Sequence, residues 1–371
     1  MKEKINNRQI FSMLFLLRTT VVISTLPVLT SADAMQDAWA SALVTFVTTA
    51  IIIFVVVKLG TRYPQLTFVG YAKKLLGKWP GRLISLILVW NLFNIAVVET
   101  RINAEIVITG FLTDTPLLFV ITSMALAVAL AAYNGIEVIA RAADLIFPLF
   151  LLIILISLTT FIPSLPVGAM NLEPVLARGA APVLRGALTP TATGFRFIIL
   201  AMLIPVVNRP KKVLKSSMGA LALSMVYLVI AAIGVVVVLG PEAGARSPFP
   251  FFSMLRSVRI SEFLERVEIV TIFAWGFGAF IGMSILFYCS ARGLAQILGL
   301  NTYRPLVGPL ILIFIVMADH SFEDMFQLRT LYQPSIVLPY TSVLFISTIG
   351  VLWIKQLLSA PLAQEDSNEK T

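Results

Sequence analysis

Residues 83–109 read LISLILVWNLFNIAVVETRINAEIVIT, an apolar run with no proline or glycine in it. A run of about 20 largely apolar residues is long enough to cross a bilayer, so this stretch sets the fold as membrane-spanning helix. Its three ionisable residues, Glu99, Arg101 and Glu105, all fall in its second half. On a helix, Asn91, Asn94, Val98, Arg101 and Glu105 share one face, and Arg101 and Glu105, four apart, can pair along it. Glu99 points to another side and must find a partner on a different helix or titrate. Charges inside a bilayer are costly and mark function or specific pairing, so Glu99, Arg101 and Glu105 are expected to form an intramembrane charge network. Glu99 is the residue best placed for a water- or proton-linked role.

The rest of the chain has the same character. Of 371 residues, 58% are hydrophobic and only 13% are charged, with a mean hydropathy of +0.93, whereas soluble domains carry about 25% charged residues. Soluble enzymes and soluble binding modules are excluded. One cysteine (Cys289) and one histidine (His320) exclude a disulfide framework, a Cys/His zinc site and a Cys-His nucleophile pair. No phosphate-loop pattern occurs, no cofactor or metal is called for, and an enzyme is not expected. The net charge of +9 lies between apolar runs, which fits a membrane surface rather than nucleic acid.

Outward from residues 83–109, apolar runs predict ten spans. In the first half they lie near 10–30, 41–58, 83–109, 115–132 and 142–162. In the second half they lie near 190–208, 217–240, 264–289, 304–318 and 335–355. The first run is too long for a signal peptide and carries Arg18 in its middle. With the N-terminus inside, 18 of the 28 basic residues fall on the cytoplasmic side, so both termini are expected in the cytoplasm. The whole chain, 1–371, reads as a single transmembrane domain with short cytoplasmic tails.

Two features suggest an internal repeat, approximately 10–162 and 190–355. Arg18 precedes Pro27 by nine residues and Arg196 precedes Pro205 by nine, and a shift of 178 residues lays spans 1–3 on spans 6–8. Five helices is an odd number, so the second copy enters from the opposite side. A five-plus-five inverted repeat is an architecture of secondary transporters, with the ligand site at mid-membrane beside broken first helices. Thr189-Pro190-Thr191-Ala192-Thr193-Gly194 is a plausible break before span 6. Span 1 has no glycine, so unwinding around Arg18-Thr19-Thr20 would have to be supported by hydroxyl groups. Arg18 and Arg196 lie at similar depth, near the midplane. Either they form a cationic pair facing the central site, or they serve as structural counter-ions, for Glu99 among others.

Elsewhere the plainer readings hold. Gly278 and Gly282 form a small-xxx-small pattern of close helix packing, Trp39, Trp79 and Trp353 sit where interfacial anchors sit, and His320 falls in a solvated outer loop. Residues 249–263 read as an amphipathic outer segment on the membrane or against a partner.

Several stretches resemble the B-subunit permease family of spore germinant receptors, within the amino acid–polyamine–organocation superfamily. They are Glu99-Thr100-Arg101-x-x-Ala104-Glu105, Thr115-Pro116, Leu75-x-Gly77-Lys78-Trp79, Asn171-Leu172-x-Pro174-Val175-Leu176, Phe249-Pro250, Glu265-Arg266-x-Glu268 and Trp275. The resemblance runs from about residue 8 to 355. It implies an all-α, ten-helix, LeuT-like integral membrane protein that senses nutrients such as amino acids in the spore inner membrane, with A- and C-type partner subunits. It also implies a pocket between helices 1, 3, 6 and 8, which carried over by position gives Thr20, Ile95, Arg196 or Phe197, and Gly282. With Arg18 and Thr19 these are the expected ligand-binding residues. The sequence departs from the family where Thr20 and Val22 replace glycines and where Arg196 brings charge into the sixth helix, which points to an anionic or zwitterionic ligand. The alternative is a proton- or sodium-coupled amino-acid permease, with oxygens near Thr271 and Ser284 as candidate sodium ligands. A conduit opened by partners is a third class.

Overall fold

The computed structural model describes residues 3–24, 33–247, 249–257, 267–323 and 325–359, and in these it is helical with no strand. The long helices are α1 (Asn7–Ser24), α2 (Ala38–Arg62), α4 (Lys78–Gly110), α5 (Leu117–Asn134), α6 (Ile136–Phe161), α7 (Ala180–Gly194), α8 (Val213–Leu239), α10 (Val267–Leu298), α11 (Arg304–Asp319) and α13 (Pro334–Phe345). Between them lie the shorter α3 (Phe68–Leu76), α9 (Pro250–Ser257) and α12 (Met325–Leu331), and α14 (Val351–Ser359) follows α13 after a π-helical turn. Among the described residues each of the ten expected spans overlaps helix, 10–30 as far as Ser24, 264–289 from Val267, and 190–208 through the end of α7 and the helical turns that follow it to Val206. Among the described residues seven stretches are long and apolar enough to cross a membrane, the longest being Lys78–Gly110 with 33 residues. The expected spans near 10–30, 142–162 and 304–318 coincide with α1, α6 and α11, which are not among those seven.

The packing pairs follow a pattern. α1 packs on α8 and α2 on α7; α1 on α6 and α7 on α13; α4 on α11 and α10 on α5. Exchanging the first five spans with the second five turns each of these pairs into its companion. The contacts α4–α10 and α5–α11 map onto themselves. Pro27, half of the sequence coincidence that suggested the repeat, lies outside the described residues.

The sixth stretch is broken as an α-helix, but after Gly194 rather than within Thr189–Gly194 as expected. α7 contains Pro190 and ends at Gly194, a 3₁₀ segment covers Phe195–Ile199, and a single α-turn and a second 3₁₀ turn complete the run to Val206. Gly194 permits the close approach of α2, since a Cβ there would lie 2.6 Å from Thr49 Oγ1. The first stretch departs from expectation. α1 runs unbroken through Arg18, Thr19 and Thr20, and the Thr20 hydroxyl donates back to the Leu16 carbonyl (3.1 Å) within an intact turn.

Two outer and inner features have local causes. Gly77, at φ +87°, lets the chain turn from amphipathic α3 straight into α4, and Gly81 then packs on the backbone of α3. A Cβ at Gly81 would lie 2.6–2.7 Å from the Lys73 and Ala72 main chain. Burial and the nearby Arg82 lower the pKa of Lys73, whose ammonium donates to the Gln296 carbonyl (2.7 Å). Gly81→Ala is expected to force α3 and α4 apart and cost about 1–3 kcal/mol, the range for overpacking; thermal unfolding of the purified protein measures it, and an unchanged midpoint would show that the elbow yields. α9 refines the reading of residues 249–263: over Pro250–Ser257 it is amphipathic, and its apolar face packs on the bundle, with Phe251 edge-on to Tyr227 and Phe252 edge-on to Trp275. The remainder of that segment lies outside the described residues.

Candidate functional site

Three helices bring their ionisable residues to one place. α1 contributes Arg18, α4 contributes Glu99, and the 3₁₀ segment after α7 contributes Arg196. All three side chains are buried, with Arg18 at 0%, Arg196 at 4% and Glu99 at 8% exposure. Arg196 forms an ion pair with the Glu99 carboxylate, so the partner that Glu99 had to find is on the sixth stretch. The guanidinium also donates through Nε to the Thr193 carbonyl (2.9 Å) and through Nη1 to the Leu17 carbonyl (3.3 Å).

Arg18 is held differently. Its Nη1 donates to the Thr193 hydroxyl (2.7 Å) and its Nη2 to the Pro190 carbonyl (3.2 Å). The Thr193 hydroxyl donates in turn to Pro190 O (2.7 Å). Every acceptor of Arg18 is therefore neutral, and its Nε has no hydrogen-bond partner among the described residues. With all three groups ionised, one carboxylate for two guanidinium groups gives the cluster a formal net charge of +1. The broken sixth stretch makes this possible, because the Pro190 and Thr193 carbonyls accept side-chain donors at the break.

Beside the cluster is a cavity of about 20 Å³ lined by Thr20, Glu99, Asn103, Arg196 and Tyr332, enough for a water molecule. A larger one, about 390 Å³, adjoins it on the side of α13, with Ile95, Thr193 and Arg196 in its wall. The structure thus brings Arg18, Thr20, Ile95, Arg196 and Glu99 together. Thr19 is buried on α1 with its hydroxyl unpartnered among the described residues. Phe197 is fully buried in the core. Gly282 packs on Leu17 and Glu99, and Gly278 on Phe150 and Thr20, so these two glycines seat α10 on its neighbours. The open volume lies on the other side of Arg196.

Arg101 and Glu105 pair as the spacing predicts (Nη2–Oε1 2.9 Å). Arg101 also reaches out of α4 to the turn after α11, donating to the backbone carbonyls of Asp319 and Glu323 and covering the Phe322 ring at 5.0 Å. It latches that turn, a role separate from the Glu99 cluster. Arg101→Lys keeps the charge but loses the planar fork. Losing a hydrogen bond to a charged group costs about 1.5–3 kcal/mol, and faster hydrogen exchange over 319–323 is the expected readout; exchange unchanged there would remove the latch.

One charged cluster was not legible in the sequence. The N-terminal strap places Ile5 beside the sixth stretch (Ile5 N–Val206 O 2.8 Å, Asn208 N–Ile5 O 2.9 Å). Glu3 meets Tyr288, Arg292 and Tyr303. Burial and then the Glu3 charge push Tyr303 up to about 12; its one hydroxyl proton has the Ala132 carbonyl (3.0 Å) and, farther off, Glu3 (3.5 Å) as alternative acceptors. The only local signal is the reciprocal Asn6–Gln9 cap that starts α1. Of the candidate sodium ligands, Ser284 donates to the Phe280 carbonyl (2.7 Å), and the Thr271 side chain lies outside the described residues. Other fragments of the resemblance are structural: Asn171 reaches the Val236 and Val237 carbonyls, and the Leu176 N–H donates to the buried Asp37 carboxylate. Residues 265 and 266 lie outside the described residues.

The fold and sequence both have known relatives. The chain is similar over its length to the structure of MhsT in complex with L-phenylalanine (TM-score 0.67, 16% identity, 96% of this chain and 88% of that one). It is also similar to MHP1, a nucleobase-cation-symport-1 family transporter (TM-score 0.61, 10% identity, 95% and 78%). The fold is therefore that of the LeuT-like transporters. In sequence, it is 28% identical to spore germination protein YndE of Bacillus subtilis over 81% of this chain and 83% of that protein. It is 28% identical to spore germination protein KB of the same organism over 87% of both. The profile of the spore permease family, described as spore germination protein, matches residues 4–324, and the chain belongs to that family.

Proposed function

We propose that this protein is the nutrient-sensing membrane subunit of a spore germinant receptor, acting with A- and C-type partner subunits in the spore inner membrane. All ten helical stretches would span the membrane as a five-plus-five inverted repeat, with both termini cytoplasmic. The exchange of packing pairs between the two halves supports the repeat. The observation that carries the functional reading is the Arg18–Thr193–Arg196–Glu99 cluster. It ties the first, third and sixth helical stretches together at a break in the sixth, so a ligand touching it alters contacts between both halves. A ligand shifts such an equilibrium only by binding the two arrangements with different affinity, and breaking or reinforcing this cluster supplies that difference.

A proton- or sodium-coupled amino-acid permease is the second reading, favoured by the transporter fold. Two fixed guanidinium groups beside the site oppose a bound sodium ion there, which leaves proton coupling through Glu99 as its stronger form. The experiment that separates the two is germination of spores lacking the gene across a panel of nutrients, with solute uptake by growing cells measured in parallel. Loss of germination to one nutrient with uptake intact is the expected result. Lost uptake with normal germination would overturn the sensor and make the protein a permease.

A further inference from the structure

The 390 Å³ cavity on the α13 side of Arg196 is within the range of small-molecule sites, about 300–1,000 Å³. Its wall is mainly apolar, built from Ile95 and Val98 of α4, Leu331 of α12, and Ile336 and Val337 of α13. At one side it meets the polar cluster, where Thr193, Arg196 and Tyr332 line it, and Asn91, Asn94, Tyr340 and Thr341 add neutral polar groups elsewhere in the wall. Thr193 is also the residue that accepts the Arg18 hydrogen bond, so the charge of Arg18 lies one hydroxyl away from the cavity. The cluster holds two buried guanidinium groups and one carboxylate, and that carboxylate is already engaged by Arg196.

We propose that this cavity binds a small monoanion with an apolar body, a carboxylate carrying no ammonium group, with its head at Arg196 and Thr193. The inference rests on the cluster being the ligand-contacting site, and it names the ligand class. The argument is one of charge. A monocarboxylate brings the buried cluster from +1 to neutral, whereas a zwitterion leaves it at +1 and sets its ammonium group near two guanidinium groups. A cationic amine would raise it to +2. Buried charge is tolerated when it is paired, so the anion is favoured and the amine rejected. The mainly apolar wall, whose remaining polar groups other than Arg196 are neutral, then favours a branched or aryl hydrocarbon body over a charged one.

The test uses the full-length protein purified in lipid nanodiscs and probes that share one hydrocarbon body. 4-Methylpentanoate keeps the carboxylate, L-leucine adds the ammonium, and 3-methylbutylamine keeps the ammonium and loses the carboxylate. Palmitate tests whether the cavity takes a lipid chain instead. Binding is read by calorimetry and by the shift in unfolding temperature. The expected order is 4-methylpentanoate tighter than L-leucine by about tenfold or more, in line with one charged contact, with no binding of the amine. Val337→Trp, which fills the cavity from α13 without touching the cluster, is expected to abolish binding while the protein still folds. Arg18→Met is expected to weaken the carboxylate and leave L-leucine relatively less affected. L-leucine binding as tightly as 4-methylpentanoate, no binding of 4-methylpentanoate, binding unaffected by Val337→Trp, or binding of palmitate alone would each overturn the proposal. Because none of these readouts involves germination, a bound carboxylate with normal germination in spores lacking the gene would fell the sensor and leave the site standing.

Discussion

Glu99→Gln is expected to destabilise the protein more than any other single change at the cluster. It removes the one carboxylate that faces Arg196 and leaves Arg18 and Arg196 as two buried cations without an anion. Breaking a buried pair by removing one partner costs about 3–5 kcal/mol, because the remaining charge is desolvated and uncompensated. Thermal unfolding in detergent or nanodiscs measures the loss. The companion Arg196→Met leaves Glu99 buried alone and is expected to be destabilising as well. Glu99→Gln combined with Arg196→Met is expected to recover much of the loss, since both charges leave together. If Glu99→Gln unfolds at the wild-type temperature, the pair contributes nothing to the folded state, and the link between the third and sixth helical stretches falls with it.

These residues also show how far the sequence could be read. The membrane fold was legible because hydropathy over twenty residues is a strong signal, and the Arg101–Glu105 pair was legible because i,i+4 geometry is local. The break near Gly194 was legible from Pro190 and Gly194 together. The partner of Glu99 was only narrowed to another helix, since which helix lies opposite is decided by tertiary packing. Arg18 and Arg196 looked alike from their equal depth, yet one is ion-paired and the other is not. That difference arises because the broken sixth stretch offers Arg18 only the Thr193 hydroxyl and the Pro190 carbonyl. The strap at Glu3 left no trace beyond the Asn6–Gln9 cap, because its partners Tyr288, Arg292 and Tyr303 are almost three hundred residues away. The close packing at Gly278 and Gly282 was legible from their spacing, and Thr20, Phe150 and Leu17 fill the space in front of them; the open volume beside Arg196 was not, because α12 and α13, which wall it, are distant in sequence.

Arg18→Met is expected to act in the opposite direction from Glu99→Gln and to raise the unfolding temperature. Among the described residues Arg18 is the largest charged side chain with no solvent exposure, its acceptors are neutral, and its Nε is unpartnered. Replacing it by the shorter, apolar thioether keeps the packing of the side-chain stem, gives up the guanidinium contacts to Thr193 and Pro190 and brings the cluster from a formal +1 to neutral without a ligand. Exchanging buried ionic groups for well-packed apolar ones is neutral or stabilising, by up to about 1–4 kcal/mol. The cost falls on function, as it does where a strained site serves activity: the variant is expected to lose the nutrient response in germinating spores although more of it is folded. A simple packing role for Arg18 predicts the reverse pairing, lower stability with the response retained in whatever protein survives. The two measurements, unfolding temperature and dose–response on the same variant, therefore separate a cation kept for a ligand from one kept for the fold. Thr193→Val sharpens the comparison, because it removes the hydroxyl that holds Arg18 while preserving shape. It is expected to lower stability, by leaving a buried guanidinium N–H without an acceptor, and Arg18→Met in the same background is expected to reverse that loss.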